Sequence, residues 1–555
     1  MRLPCAALPA RLYGKREAAG IAAFALLLGL LAIRITRGAD LGDESYYAIF
    51  IDDWLKGGIA TSSFLVIHQT AALLVYPAAL AYAALKGSSD GLFLFLRVLF
   101  LAGAAASALC WILFLKRLGY RLLAWAGGIF VLSFVPFGLP APSYNTLGQQ
   151  ALTIALASLG VAALVDGRTR EQFWWLIASA AAWAVATIAY PSLIMPLGAL
   201  CLLGLWVGDR CFPRPLSYAA MTGAAVCAGW SLVILSLTFA RLRDSVIFTG
   251  TAFDADGWGR KLAFVQDLFA ANFAFSLLCV AAIGIGVARR RFPLFARLAT
   301  VAVLAALFVT APALYARSHD AVTLAALTGL GLLSGLRTNA GRAERAIGLV
   351  YATSLLAALT TGVTASNSVF NFSIGALPAA ALAVVGRPAA KSSSVAGLIA
   401  VSAAIAAVLS TSLFSYYGEL PGRPDAPREH ITGGFFSGLA LLPDDAALLR
   451  LVQERIDPLL ENKPPIAILG RLPGLILAMP TRLSMPIAYA VPGGDKWLSP
   501  YEAFYRQPGR QPLLVLIYRD RYFLPPNPIP RFDNDYALAD ELKTPLGRIE
   551  VFRRR

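Results

Sequence analysis

The chain has 555 residues, of which 58% are hydrophobic and only 14% are charged, whereas about a quarter of the residues in an average soluble domain are charged. This composition excludes an ordinary soluble globular protein and predicts a polytopic α-helical membrane protein. The net charge of +16 falls mostly in short stretches between apolar runs. That placement follows the positive-inside rule and argues against nucleic acid as a partner.

The first apolar run, residues 20–35, follows Arg11, Lys15 and Arg16 and has no small-residue cleavage site, so we interpret it as a retained helix. Similar runs recur through residue 414, each long enough to cross about 30 Å of hydrocarbon. Basic pairs such as Lys116-Arg117 mark the loops that we expect to be cytoplasmic. The segments then expected on the periplasmic side are 37–63, 140–146, 240–262, 317–320 and 366–371.

Residues 63–86 form an apolar run that the charge pattern does not allow to cross. Counting both this run and the next one, 92–115, as spans would place Lys116-Arg117 outside and invert every later loop. We therefore predict a juxtamembrane helix at 63–86 and about thirteen transmembrane helices in residues 1–414. The N-terminus is then cytoplasmic and the C-terminus periplasmic.

After residue 414 the composition changes to Pro, Arg and Asp, and no long apolar run follows. Four short apolar segments lie between turns rich in Pro and Gly, which is typical of buried strands. They are 466–469, 486–491, 513–518 and 549–552. We predict a small periplasmic α/β domain over residues 415–555.

A cluster of acids directly follows the first helix, in the sequence Asp40-Leu41-Gly42-Asp43-Glu44-Ser45-Tyr46-Tyr47. A carboxylate at a membrane edge is costly unless it is solvated or used in function. Asp43 and Glu44 are candidates for the general base of a transfer reaction or for ligands of a divalent cation. In the alternative interpretation, Asp40 and Asp43 cap a helix that begins near Glu44. We expect Asp52 and Asp53 on a solvated helix face.

Five cationic or imidazole side chains lie at predicted outer positions, and arginine binds phosphate through two parallel hydrogen bonds. As candidates for phosphate binding we select Arg97, Arg241, Arg243, Arg317 and His319. Contacts with lipid headgroups or with nearby acids are the alternative for each arginine, and an ordinary interfacial histidine is the alternative for His319.

The polar turn that contains Tyr144 and Asn145 supplies candidate hydrogen bonds to a sugar or an acceptor. The same turn is also typical of a cap for the helix that starts near Leu147.

The Asp43-Glu44 pair with Tyr47 in the first outer loop resembles the C-type (GT-C) membrane glycosyltransferases, in particular glycosyltransferase family 39 and the aminoarabinose transferases of lipid A. The resemblance continues from His68 to Gly119, although Gln69 stands where many relatives have proline. The turn from Tyr315 to Asp320 is similar to the family's phosphate-contacting turn, with a different order of residues.

The resemblance implies a polyprenyl-phosphate sugar as donor, transfer on the periplasmic face, and Asp43 or Glu44 as the catalytic acid. Some relatives use a divalent cation. The expected function is therefore a glycosyltransferase of a bacterial inner membrane whose acceptor is a glycolipid, a polysaccharide or a protein. A transporter or flippase of a lipid-linked glycan, a surface-polysaccharide polymerase or ligase, and a relative without catalytic activity are the alternatives.

Overall fold

The computed structural model describes residues 10–165, 167, 169–207, 212–253, 273–289, 291–310, 314–337, 340–364, 369–385, 393–413, 426–460, 463–487, 495–520, 527–545 and 547–555. Sixteen α-helices precede residue 414 in these ranges. They are α1 (Ala10–Arg34), α2 (Ser45–Gly57), α3 (Gln69–Lys86), α4 (Leu92–Arg117), α5 (Arg121–Ser133), α6 (Tyr144–Leu164), α7 (Arg170–Ala189), α8 (Ile194–Val207), α9 (Pro215–Leu237), α10 (Phe239–Phe253), α11 (Phe273–Ala288), α12 (Pro293–Thr310), α13 (Leu314–Leu327), α14 (Arg342–Thr364), α15 (Val369–Val385) and α16 (Ser393–Ser412).

Six helices of the described ranges are long and apolar enough to cross a membrane, namely α4, α6, α7, α9, α14 and the part of α1 from Glu17 to Arg34. A bent pair, Arg317–Leu327 with Leu330–Leu336, adds a seventh candidate, and its two parts meet at 46°. Further apolar helices of 10–17 residues accompany them. The protein is thus mostly helical with several candidate spans, and the count of thirteen stays a prediction.

The C-terminal domain is built on a four-stranded mixed sheet with the strand order β3-β4-β6-β5, in which β3 and β4 run parallel. Its elements are β1 (Glu429–His430), β2 (Ala440–Leu441), α17 (Pro443–Arg455), β3 (Ile466–Leu469), α18 (Asp495–Tyr505), β4 (Leu514–Asp520), α19 (Phe532–Asp535), β5 (Tyr536–Thr544) and β6 (Gly547–Arg554). Three of the four predicted strand segments correspond to β3, β4 and β6. Residues 488–491 of the fourth segment, and the predicted boundary at 414/415, lie outside the described residues.

The C-terminal domain contacts one end of the helical bundle, which we call the domain end. There the Gly38 N–H donates to Ala440 O, and the Phe93 N–H donates to Phe435 O. At the opposite end of the bundle, Lys116 forms an ion pair with Glu17. Charged groups therefore lie at both ends of helices whose middle parts are apolar.

Both ends of α3 lie at the domain end. Near its start, the Thr70 hydroxyl donates to Ile188 O in the last turn of α7. Near its other end, the Tyr82 hydroxyl donates to Asp90 O, and the Gly91 N–H donates to Gly434 O of the C-terminal domain. The helix thus runs along the domain end rather than through the bundle.

Candidate functional site

The turn before α2 carries the acidic cluster, and its side chains cap one another. The Asp40 carboxylate accepts the Gly42 N–H at 2.9 Å and the Glu44 N–H at 3.2 Å. In the other direction, Glu44 Oε2 accepts the Asp40 N–H at 3.1 Å. These hydrogen bonds satisfy backbone donors of the turn itself, because α2 begins after Glu44 and this N-cap residue makes no side-chain cap. Asp40 therefore fixes the turn before the helix rather than capping the first turn of the helix.

Glu44 and Arg97 form a buried two-pronged ion pair. Arg97 Nε donates to Glu44 Oε1 at 2.6 Å, and Nη2 donates to Oε2 at 2.7 Å. Nη1 donates to Ile35 O at 2.7 Å and to Arg37 O at 3.3 Å, just after α1. Neither side chain is more than 2% exposed. Arg97 is therefore not placed to bind a donor phosphate, and Glu44 is not placed to act as the base. Together they lock the turn onto α1 and α4.

Asp43 differs from its neighbours because its side chain is exposed. It lies within electrostatic range of Tyr46 and Tyr47, which are buried. Burial is the largest cause that raises the pKa of both phenols well above the ordinary value, and the charge of Asp43 adds to it. Of the two predicted bases, Asp43 is thus the carboxylate that the locked turn presents to solvent.

A small pocket adjoins this turn, lined by Glu44, Tyr47, Phe93, Leu96, Ala141 and Pro142, together with Ala48 and Ile51. The hydroxyl of Tyr47 is buried and lies beside the backbone of Tyr144. The pocket is therefore lined mostly by apolar residues, with Glu44 and Tyr47 as its polar members.

Aromatic rings extend from the turn into the domain end. His68 stacks on Tyr144 with 4.8 Å between ring centroids, and Tyr144 contacts Tyr190 at 4.9 Å. Tyr47 lies 6.4 Å from Tyr144. Burial lowers the pKa of His68 to about 4, so its imidazole is neutral near pH 7. Tyr144 therefore belongs to an aromatic cluster with Tyr47, His68 and Tyr190, and its role as a sugar contact stays a prediction.

Asn145 is placed differently from Tyr144. It is buried, and its Oδ1 accepts from Asn371 Nδ2 at 3.0 Å. The turn itself caps α6 through a capping box, in which Ser143 accepts the Thr146 N–H and Thr146 accepts the Ser143 N–H. The capping alternative thus describes this turn, and Asn145 links helices rather than facing an open site.

His319 is fully buried and its ring is engaged on both sides. Nε2 accepts the Phe137 N–H at 2.9 Å, and Nδ1 lies 2.9 Å from Phe370 O and 2.6 Å from Ser373 Oγ. A ring nitrogen that accepts a hydrogen bond carries no proton, so this imidazole is neutral. His319 therefore joins three segments at the domain end and is not placed as a phosphate ligand.

The remaining candidate cations are scattered. Arg241 donates to Ile59 O, and at 3.3 Å to Phe64 O, so it braces the segment that precedes α3. Arg243 is exposed and forms an ion pair with the adjacent Asp244 at 2.8 Å. Arg317 is half-buried on α13, two residues before His319. A phosphate-binding role for Arg317 stays a prediction.

Comparisons with known proteins give matches by structure alone. No family model matches the chain, and no curated protein matches it. The structure is similar to the oligosaccharyltransferase of Archaeoglobus fulgidus in complex with zinc and sulfate, with 13% identity, a TM-score of 0.46, and coverage of 95% of this chain and 72% of that chain. A second structure, the archaeal oligosaccharyltransferase AglB of that organism with an inhibitory peptide and a dolichol-phosphate, gives 12% identity, a TM-score of 0.45, and coverage of 90% and 69%. ArnT from Cupriavidus metallidurans in the apo state gives 14% identity, a TM-score of 0.43, and coverage of 96% and 98%.

Both oxygens of Glu44 accept hydrogen bonds from Arg97, so a divalent cation held by Asp43 and Glu44 would share these oxygens with that guanidinium. In the described ranges no group of three or more His, Cys, Asp and Glu side chains is arranged to hold a metal ion. Binding of a cation through Asp43 stays a prediction.

Two acids that we expected on a solvated face are buried instead. Asp52 pairs with Lys56 at 2.6 Å, and Asp53 pairs with Arg482 of the C-terminal domain at 2.7 Å. The i, i+4 spacing of Asp52 and Lys56 is a signal for the first pair. The second pair joins residues 429 positions apart, and no local pattern indicates it.

Proposed function

We propose that the protein is a membrane glycosyltransferase that moves a sugar from a polyprenyl-phosphate donor to an acceptor at the domain end of the bundle. The observation that carries the proposal is the exposed carboxylate of Asp43 on a turn that the buried Glu44–Arg97 pair holds rigid. A catalytic group on a fixed backbone needs little reorganisation during the reaction.

In the proposed reaction, the carboxylate of Asp43 accepts the proton of the acceptor's hydroxyl or amine. The acceptor atom then forms a bond to the anomeric carbon of the sugar, while the bond from that carbon to the phosphate oxygen breaks. The polyprenyl phosphate leaves with the electron pair. The rings of Tyr47 and Tyr144 lie 6.4 Å apart and within electrostatic range of Asp43, and we propose that they contact the sugar.

The position of α3 supports a lipid-linked donor. This helix runs along the domain end, and its Leu80 and Leu85 are 48% and 89% exposed. Such apolar side chains at a membrane edge suit contact with lipid or with a polyprenyl tail. We further propose that the domain end is periplasmic and that the membrane is a bacterial inner membrane.

The test compares Asp43→Asn with Asp444→Asn, because Asp444 is also an exposed acid near a helix start but lies in α17. Purified proteins in liposomes receive radiolabelled undecaprenyl-phosphate sugars together with lipid, polysaccharide and peptide acceptors. We expect Asp43→Asn to reduce transfer by about 100-fold or more, while Asp444→Asn retains wild-type transfer. Equal transfer by wild type and Asp43→Asn would refute the assignment of the base.

A further inference from the structure

The C-terminal domain binds the last turn of α2 through charged side chains. Arg482 donates from Nε to Asp53 Oδ1 at 2.7 Å and from Nη2 to Oδ2 at 3.0 Å. Lys56 donates to Met479 O at 2.8 Å and to Thr481 O at 3.0 Å. Asp53 is buried, so its charge depends on Arg482 for compensation. The segment 479–482 is thus attached to the end of α2.

The same domain also contacts the start of α2. The Gly474 N–H donates to Leu41 O at 2.7 Å, directly within the turn that presents Asp43. Both ends of the 13-residue helix are therefore held by residues 474–482 of one domain. A helix behaves as a stiff rod over this length of about 20 Å, so a displacement of its end is transmitted to its start.

Two glycines permit these close approaches. A Cβ on Gly57 would lie 2.0 Å from Arg482 Nη1, and a Cβ on Gly474 would lie 2.5 Å from Ser45 Oγ. Any larger side chain at either position would displace the partner. At both positions the absence of a side chain therefore lets the domain approach α2 this closely.

We propose that the C-terminal domain positions the Asp43 carboxylate and that Arg482 is the positioning residue, acting through Asp53 and α2. This inference rests on the proposed function. It assigns the domain a part in the chemistry of the site, beyond binding an acceptor or stabilising the fold.

The first experiment uses Gly57→Ala, which displaces the Arg482 guanidinium without removing a charge. Gly29→Ala is the matched control, since Gly29 also lies within a helix and a Cβ there meets nothing within 4 Å. We expect Gly57→Ala to lower kcat for sugar transfer by about ten- to a hundredfold with KM for the donor unchanged, because a misplacement of about 1 Å has that effect. Gly29→Ala should keep both constants. Unchanged kcat in Gly57→Ala, with the protein folded, would overturn the inference.

The second experiment combines Arg482→Gln and Asp53→Asn in a double-mutant cycle, with Arg482→Lys as the conservative variant. Thermal unfolding midpoints of the purified variants measure coupling between the two side chains, whatever the protein's activity. We expect the double variant to unfold closer to wild type than Arg482→Gln does, and kcat to recover partly in Arg482→Lys. Absence of coupling would overturn the inference.

Asp43→Asn in the same assay separates the two proposals. If it loses transfer while Arg482→Gln and the double variant keep the wild-type kcat, the positioning role is wrong and the proposed function stands. If Asp43→Asn keeps full transfer, the proposed function fails, and the inference that depends on it fails too, even where coupling between Asp53 and Arg482 is measured.

Discussion

At the scale of single residues, two adjacent acids have opposite surroundings. Glu44 is buried against Arg97, whereas Asp43 is exposed. A buried ion pair contributes little net stability but is costly to break from one side, because the remaining charge stays buried without compensation. Substitution of Glu44 should therefore lower the stability of the fold, whereas substitution of Asp43 should lower the rate of sugar transfer.

We expect Glu44→Gln to lower the free energy of unfolding by about 3–5 kcal/mol, since it leaves the Arg97 charge buried. Asp43→Asn should lower it by less, because Asp43 is exposed and its charge is not buried. Denaturant titrations of both variants in the same detergent measure the difference. A Glu44→Gln protein with wild-type stability and no transfer would instead identify Glu44 as the reacting group.

Asp52 gives a prediction that depends on pH. Burial, partly offset by Lys56, raises the pKa of this carboxyl from 3.8 to about 6. The folded state therefore binds the proton more tightly than the unfolded state, so stability falls as pH rises from about 4 to about 6. Above pH 7 this group adds no further dependence.

In Asp52→Asn this dependence is removed. The difference in the free energy of unfolding, variant minus wild type, should increase by up to about 3 kcal/mol between pH 4 and pH 6 and stay constant above pH 7. Unfolding midpoints at one-unit intervals from pH 4 to pH 8 measure it. Parallel curves for the two proteins over this range would contradict the assigned pKa.

At the scale of elements, His319 connects α13 to the 136–138 turn and to the start of α15. Phe137 has a φ of 56°, a left-handed conformation that is unfavourable for a bulky residue. Its N–H is directed at His319 Nε2. This hydrogen bond therefore fixes the loop that joins α5 to α6, next to Pro142 of the small pocket.

His319→Leu should lower the free energy of unfolding by about 1–3 kcal/mol, because the Phe137 N–H is left buried without an acceptor. KM for the donor should stay unchanged in the folded protein, since His319 does not face an open site. His430→Leu is the control, as His430 is exposed on β1. A large rise in KM for the donor at wild-type stability would instead support the phosphate-binding role.

The sequence predicts a strand when the residues of that strand carry the pattern, and it fails when the strand forms only by pairing with another strand. β3, β4 and β6 carry apolar runs and were predicted. β5 is a largely exposed edge strand, in which Ala537 and Leu538 are exposed and Asp540 is half-buried. Its sequence contains no apolar run that would predict a strand. It forms because it pairs with β6, which is a contact between strands rather than a local preference.

The same distinction applies to the site. The Asp43-Glu44 pair after an apolar helix is a local pattern, and the sequence predicted that this turn matters. Which of the two acids is exposed depends on Arg97, 53 residues later. The Asp53–Arg482 pair depends on a domain more than 400 residues away, and two surface-like charges give no sign of such a contact.

At the scale of the whole molecule, the candidate chemistry lies where the helical bundle meets the C-terminal domain. Both ends of α3 contact residues at the domain end, so we expect that this helix does not cross the membrane. If α3 crossed, Lys86 would lie across the membrane from the domain, whereas the nearby Gly91 N–H donates to Gly434 O of that domain. The candidate site and the C-terminal domain therefore lie at the same end of the bundle.

Single cysteines introduced into a variant without the six native cysteines test this topology. Ala60→Cys and Lys86→Cys flank α3, Arg455→Cys marks the domain, and Arg117→Cys marks the opposite end, all at exposed positions. We expect a membrane-impermeant maleimide to label the first three from the same side of sealed vesicles. Arg117→Cys should react only from the other side. Labelling of Ala60→Cys and Lys86→Cys from opposite sides would show that α3 crosses, and every loop after it, including Arg117→Cys, would then change sides relative to Asp43.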